Sequence, residues 1–256
     1  MSPIPHVSIG GVRVAVASRA ELATEMVTDC LHRRTSGGPP RLVFDANGHA
    51  LSLAARDARF HAALEEADLV HADGGFLIPA SRRLAGAAIP ERSATTDLLH
   101  DFAEAGLEYG LTHYLLGASE EANKACAERL QALYPDLRIA GRRNGYFAAS
   151  EEEEVVEAIN TAAPDLLWIG LGKPLEQLFA ARNRNGLRAG WAITCGGCFN
   201  YVTGAYRRAP RVMQQFHLEW LFRAATTPSL LWRYATTSPH ALLLTLARID
   251  RTVVSK

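Results

Sequence analysis

Asp73 is the residue here best placed for acid–base chemistry. It follows the apolar run Leu69-Val70-His71-Ala72 and precedes Gly74-Gly75. The run reads as a buried strand, and the two glycines free the backbone to turn sharply at its end. Where such strands form an open sheet, ligands collect outside their carboxyl ends. A carboxylate there is well placed to meet a substrate. Asp and Gly also shape turns without doing chemistry, and that reading stays open. His71 and Asp73 alternate on one side of the strand. They read either as an acid/base pair or as a core histidine beside a turn.

Four further stretches carry chemically useful residues. His113 to Ser119 is an apolar strand, a turn at Gly117 and a helix start, a junction that suits phosphate. The three-glycine dinucleotide spacing is missing. In Gly170-Leu171-Gly172-Lys173-Pro174, Pro174 fits the first helical position. Glu176 and Gln177 then lie in the first helical turn, facing the strand ends. Cys195-Gly196-Gly197-Cys198 has the spacing of a redox pair or half a zinc site. No second such pair completes a metal site, and Gly196 and Gly197 let a ligand approach the backbone. Arg207 and Arg208 follow Tyr206, and guanidinium groups bind diphosphates by paired hydrogen bonds. From Tyr206 onward there are eight Lys or Arg, Arg211, Arg223 and Arg233 among them, against two acids. That excess points to a local anionic partner. The chain has no Asp-x-Asp, the usual carboxylate pair for holding a divalent cation on a nucleotide diphosphate. No metal and no cofactor are expected.

The chain must supply elements to hold these residues. With 256 residues and 48% hydrophobic content it fits one large domain, or one with an appendage. Zero net charge offers no global field for nucleic acid. No signal peptide or membrane span is evident, and the four cysteines do not form a disulfide framework, so a cytoplasmic location is expected. Residues 7–16 read as a hairpin. Ser18 to Glu21 has capping-box spacing and opens a helix. Strands are expected at 41–46, 68–72, 113–117, 137–140, 166–170 and 191–194. Helices are expected at 50–67 with a break near Asp57, at 76–86 and 96–105, from Ser119 to before Pro135, and at 175–183. A second capping box is read at Ser150 to Glu153, and 142–146 as a loop. This alternation predicts an α/β, Rossmann-like fold with a mostly parallel sheet flanked by helices. Residues 1–210 form that core. Residues 211–256 read as a helical C-terminal appendage, with helices at 211–224, 229–236 and 239–253 broken at Pro228 and Pro239. Leu218, Trp220, Leu221, Phe222, Leu230, Leu231 and Trp232 give the appendage anchors for a membrane interface.

Several of these motifs recur together. They are Asn47, Ala72-Asp73-Gly74, Glu91-Arg92 with Thr96-Asp97-Leu98, Gly172-Lys173-Pro174 and Gly196-Gly197-Cys198-Phe199. Gly204, Arg207-Arg208-Ala209-Pro210 and Leu218 to Arg223 follow. In this order and spacing, from about residue 41 to 234, they resemble the WecG/TagA/CpsF family of glycosyltransferases, glycosyltransferase family 26. The resemblance implies an inverting, metal-independent transferase. It would move a hexose or N-acetylhexosamine from a UDP-sugar to a lipid-diphosphate-linked saccharide in cell-surface polysaccharide or exopolysaccharide biosynthesis. It would act peripherally at the cytoplasmic face of the plasma membrane, with an anionic lipid surface as partner. A homo-oligomer is left open. Asp73 matches the family's proposed general base, and the appendage would help close the site with its arginines near the diphosphate.

Four positions depart from the family pattern. Asp45 stands where Thr is usual, Thr95 replaces Gly, Glu176-Gln177 reverses Gln-Glu, and Asn200 replaces Asp. Asp45 thereby becomes a second candidate base. The substrate-binding set expected is Asn47, Gly74, Thr96, Asp97, Gly117, Gly172, Pro174, Glu176, Gln177, Gly196, Gly197, Asn200, Arg207, Arg208 and Arg211. Two rival readings remain: a non-catalytic nucleotide-sugar-binding scaffold, and a thiol oxidoreductase using Cys195 and Cys198.

Overall fold

A computed structural model describes residues 4–84, 86–210, 212–213, 219–226, 229–247 and 249–254. Arg211, Leu218 and the expected break at Pro228, named above, lie outside the described residues. Six strands make one parallel sheet in the order β4-β3-β8-β7-β5-β6. They are β3 (Arg41–Ala46), β4 (Leu69–Ala72), β5 (Thr112–Gly117), β6 (Arg138–Arg143), β7 (Leu166–Gly170) and β8 (Trp191–Thr194). The Rossmann-like α/β expectation holds. Successive strand residues face opposite sides, so β5 sends Leu116 into one apolar layer and Leu115 into the other. Phe44, Leu51, Phe60 and Phe179 fill the first layer. Met26, Phe102, Trp168 and Trp191 fill the second.

The expected hairpin is β1 (His6–Ile9) with β2 (Val12–Ala15). Helix α1 (Arg19–Ser36) starts on the Ser18/Glu21 capping box. Helices α2 (Gly48–Ala54) and α3 (Ala58–Glu65) divide at Asp57. The Asp57 carboxylate accepts from the N–H groups of Arg59 and Phe60 and so caps α3. Then come α4 (Leu77–Leu84), α5 (Thr95–Leu107), and α6 (Glu120–Leu133) capped by Ser119. Helices α7 (Glu152–Ala162), α8 (Leu175–Asn183) and α9 (Cys198–Val202) complete the core.

Two local expectations in the core need correction. β6 runs on to Arg143, because β5 pairs with it as far as Leu116 opposite Arg143. Residues 142–143 are therefore strand, not loop. Ser150 does not cap α7. A one-turn helix, Ala149–Glu151, precedes it, and the Glu151 carboxylate accepts from the Ala148 N–H instead.

The C-terminal segment differs more. It contains α10 (Glu219–Thr226), α11 (Ser229–Ala247) and a strand, β9 (Ile249–Val254). Pro239 does not break α11. Proline costs a helix its N–H bond and crowds the preceding turn, but here the ring is exposed and packing secures the helix just beyond it. His240 Nδ1 lies 2.9 Å from Ser52 Oγ of α2, and Ala241 packs over Gly48. The run Ile249-Asp250-Arg251-Thr252-Val253-Val254 is strand rather than helix. It is rich in β-branched residues and pairs antiparallel with β1 in a small sheet ordered β2-β1-β9. Among the described residues no helix is long and apolar enough to cross a membrane.

Candidate active site

A cleft of about 540 Å³ opens at the carboxyl ends of β3, β4, β7 and β8, and α10 and α11 wall its far side. β3 delivers Asp45, and Asn47 follows at the start of α2. The Asn47 side-chain oxygen Oδ1 accepts from the Ala50 N–H at 3.0 Å, capping that helix. Its amide nitrogen must then face the other way. It donates to Asp45 Oδ2 at 2.9 Å and to Asp73 Oδ2 at 3.2 Å. One side chain thus starts a helix and holds both candidate bases.

β4 delivers Asp73 beside this amide. Gly74 is required next to it, since a Cβ there would lie 2.9 Å from Asn47 Cα. Arg92 holds Asp73 from the other side. Its Nε donates to the Asp73 carbonyl at 2.5 Å, and its Nη2 lies 3.3 Å from Asp73 Oδ1. Its Nη1 donates to Glu219 Oε2 of α10 at 2.5 Å. Arg92 therefore ties the end of β4 to the C-terminal segment. His71 does not pair with Asp73. Its Nδ1 meets the Ser93 carbonyl at 2.7 Å, so it is a buried core histidine, and burial pushes its pKa down.

The turn after β7 delivers Lys173. Its ammonium donates to both oxygens of Asp45 at 2.6 Å and lies 3.7 Å from Glu176 Oε1. Burial pulls the Lys173 pKa down, but Asp45 and Glu176 outweigh it and the net shift is upward. Glu176 is fully buried. Its Oε2 accepts from the backbone N–H of Gly172 at 3.0 Å and of Gly196 at 2.9 Å. It thereby joins the two glycine turns that floor the cleft, and both glycines have positive φ, which favours glycine. Burial pushes the Glu176 carboxyl up. Lys173 and the two N–H donors pull it back, Asp45 adds to the rise, and it settles at about 7.

The cleft brings together nine of the expected residues: Asp45, Asn47, Asp73, Gly74, Thr96, Gly172, Glu176, Gly196 and Gly197. Gln177 lies beneath it, fully buried, donating to Glu176 and to Thr194. Arg208 binds Asp97 and sits 3.8 Å from Glu219, so this pair braces the C-terminal segment. Pro174 precedes α8, and Asn200 lies within α9, its carbonyl accepting from the Tyr206 N–H. Arg207 is exposed. Gly117 serves close packing: a Cβ there would meet the Gly170 carbonyl oxygen at 2.3 Å. Cys195 and Cys198 line the cleft as free buried thiols whose pKa burial pushes well up. A thiol so disposed resists forming the reactive thiolate, which weighs against the oxidoreductase reading.

The candidate set lacked several cleft residues. Lys173 and Arg92 lie inside family motifs that give them no role, Thr95 enters only as a departure from the family pattern, and Arg233 is a weaker candidate for the diphosphate, expected to face lipid headgroups instead. His49, Tyr201, Trp220, Glu219 and Tyr234 also line the cleft. His49, Tyr201 and Tyr234 carry no local signal beyond residue type, while Glu219 and Trp220 stand in the motif at 218–223 without a role at the site. His49 and Tyr201 come from α2 and α9, whereas packing of α11 on α2 and of α10 on α11 brings Glu219, Trp220 and Tyr234 to the strand ends.

An enzyme of Bacillus spizizenii, N-acetylglucosaminyldiphosphoundecaprenol N-acetyl-beta-D-mannosaminyltransferase, is 29% identical over 186 residues. The alignment covers 73% of this chain and 71% of that one. An enzyme of the same name from Staphylococcus aureus strain MRSA252 is 26% identical over 182 residues, covering 71% and 70%. A solved structure of an arylmalonate decarboxylase variant in a sulfate-associated form aligns with TM-score 0.22 at 16% identity, over 78% of this chain and 83% of that one, too distant to bear on the site. The model of the WecG/TagA/CpsF glycosyl transferase family matches residues 7–253, so the cleft and both of its C-terminal helices fall within the match, and the chain belongs to that family.

Proposed function

We propose that this glycosyltransferase moves an N-acetylhexosamine or hexose from a UDP-sugar to a lipid-diphosphate-linked saccharide. The reaction inverts the anomeric centre, needs no metal, and serves assembly of a cell-surface polysaccharide or exopolysaccharide. One observation carries the reading: Asp73 stands at a strand end in the cleft, held by Asn47 and Arg92, in a chain of this family. The names of the Bacillus and Staphylococcus relatives support an amino-sugar donor and a lipid-diphosphate acceptor.

In the proposed step Asp73 takes the proton of an acceptor hydroxyl as that oxygen bonds to the donor's anomeric carbon. The bond from that carbon to the diphosphate oxygen breaks, and UDP leaves with the electron pair. Cations must meet the charge that develops on the diphosphate. Arg233 on the cleft wall and Arg208, 3.8 Å from the cleft residue Glu219, are the described candidates. Arg207 and Arg211 of the same basic segment complete the proposed set. Lys173 sits between two carboxylates on the floor, where a metal-dependent enzyme of this chemistry would gather carboxylates around an ion. The proposed site of action is the inner face of the plasma membrane, with the C-terminal segment on the lipid.

The test is UDP release from a panel of UDP-sugars with a lipid-diphosphate saccharide. Asp73→Asn keeps shape and a hydrogen-bonding oxygen but cannot accept the proton. It should lower kcat about a hundredfold or more with little change in UDP affinity. A folded, fully active Asp73→Asn enzyme would refute the base assignment. Loss of turnover in Asp45→Asn alone would move the base to β3. UDP binding without turnover on any acceptor would favour a scaffold.

A further inference from the structure

We propose that Lys173 is a positioning residue for the base: by neutralising Asp45 it keeps Asp73, joined to Asp45 through the Asn47 amide, ionised in the cleft. This rests on the transferase reading with Asp73 as base. Three contacts carry it. Lys173 Nζ lies 2.6 Å from both oxygens of Asp45. Asn47 Nδ2 donates to Asp45 and Asp73 together. The Asn47 side-chain oxygen Oδ1 is committed to the Ala50 N–H, which fixes the amide's orientation. Two carboxylates that share one amide nitrogen repel when both are ionised, and such a pair holds on to a proton. An ammonium on one of them removes that repulsion.

The same geometry separates the roles of the two acids. The Asp45 side chain is 5% exposed and that of Asp73 17%. Asp45 also accepts from Asn47 and, at 3.4 Å, from the Thr194 hydroxyl. Its oxygens are engaged by three neighbours, whereas Asp73 is the more open to a substrate.

The surrounding titratable groups leave this pair in control. His71 and His49 are driven down, chiefly by burial, His49 to about 4, so both are neutral at working pH. The thiols of Cys195 and Cys198 are pushed well up. Arg92 and Arg233 stay cationic, and Glu219 is paired with Arg92. Glu176, at about 7 and 3.7 Å from Lys173, is the remaining titrating neighbour. It can serve Lys173 as a second counter-ion if Asp45 is neutralised.

The experiment compares Lys173→Met, Asp45→Asn and the double variant, reading kcat and the KM for the UDP-sugar from about pH 6 to pH 9. Lys173→Met should lose at least about tenfold in kcat near pH 7, with donor KM little changed, and regain much of it near pH 9 as the acid pair deprotonates. Asp45→Asn should be milder, since Glu176 then faces Lys173. The double variant should recover most of the kcat lost by Lys173→Met, because neither charge is left alone. Adding Glu176→Gln to Lys173→Met must preserve the alkaline recovery, which excludes Glu176 as its source. A double variant no better than Lys173→Met, or one that fails to fold, overturns the proposal. So does a Lys173→Met enzyme that shows only a raised donor KM, the mark of direct contact with the diphosphate. If the wild-type protein releases no UDP from any donor, the transferase reading fails separately. The charge pairing is then judged by melting: Lys173→Met should lower Tm and the double variant restore it, and no restoration overturns the pairing.

Discussion

Replacing Glu176 by glutamine should change how stability depends on pH. Burial pushes this carboxyl from the ordinary 4.5 to about 7. In the unfolded chain it titrates at the ordinary value. Between those two points the folded protein holds a proton that the unfolded chain has released. The stability from this group is therefore complete below about pH 4.5 and is lost as pH rises through about 7. At about 1.36 kcal/mol per pH unit, that range amounts to about 3 kcal/mol. Glutamine has the shape of the protonated acid, and its carbonyl can still accept from the Gly172 and Gly196 N–H groups. Thermal unfolding of both proteins between about pH 4.5 and pH 8 is the assay. Stability of the variant minus that of the wild type should climb by about 3 kcal/mol, or about 6–12 °C in Tm for a chain of this size. Lys173 keeps its charge throughout, because Asp45 remains beside it. A difference that stays flat with pH would refute the assignment of a raised pKa to Glu176, and with it the picture of an acid whose burial outweighs Lys173 and the two backbone N–H donors.

Three further outcomes are expected. UDP release should survive EDTA; a strict divalent-metal requirement, restored on adding the metal back, would overturn the account of the leaving group. Trp232, Leu243 and Leu246 are 78%, 65% and 59% exposed on α11, and their spacing puts them on one helical face with Pro239; changing all three to serine should reduce binding to anionic vesicles, and unchanged binding would remove α11 from the membrane-contacting role. Cys195→Ala with Cys198→Ala should retain UDP release, whereas a thiol-exchange activity present in the wild type and lost in this variant would revive the redox reading.

The alternation of strands and helices was legible because the core strands other than β6 are short, mostly apolar runs bounded by turns. Leu166–Gly170, Leu175–Asn183 and Trp191–Thr194 fall where periodicity puts them. The β6 end and the α7 start were not, since Arg142 and Arg143 carry no apolar signal and Glu151 caps from inside its own turn. The C-terminal end misled for a related reason. Pro239 is a breaker by local rules, but it sits on the exposed face of a helix that α2 secures at His240 and Ala241. Residues 249–254 became strand because β1 offered an open edge.

The same division holds at the site. Local chemistry alone marked Asp73, the Gly74-Gly75 turn, the glycines at 172, 196 and 197, and Glu176, because strand ends, turns and helix starts are properties of neighbouring residues. Sequence could name Asp45 as a second carboxylate but not give it a partner. Tertiary structure decided that Lys173, 128 residues away, lies on Asp45, that Arg92 joins Asp73 to Glu219 across 127 residues, and that Arg208 is engaged by Asp97. An ion pair depends on where two side chains meet in space. Here that is fixed by the strand order β4-β3-β8-β7 and by the packing of α11 on α2, to which no local signal in the chain corresponds.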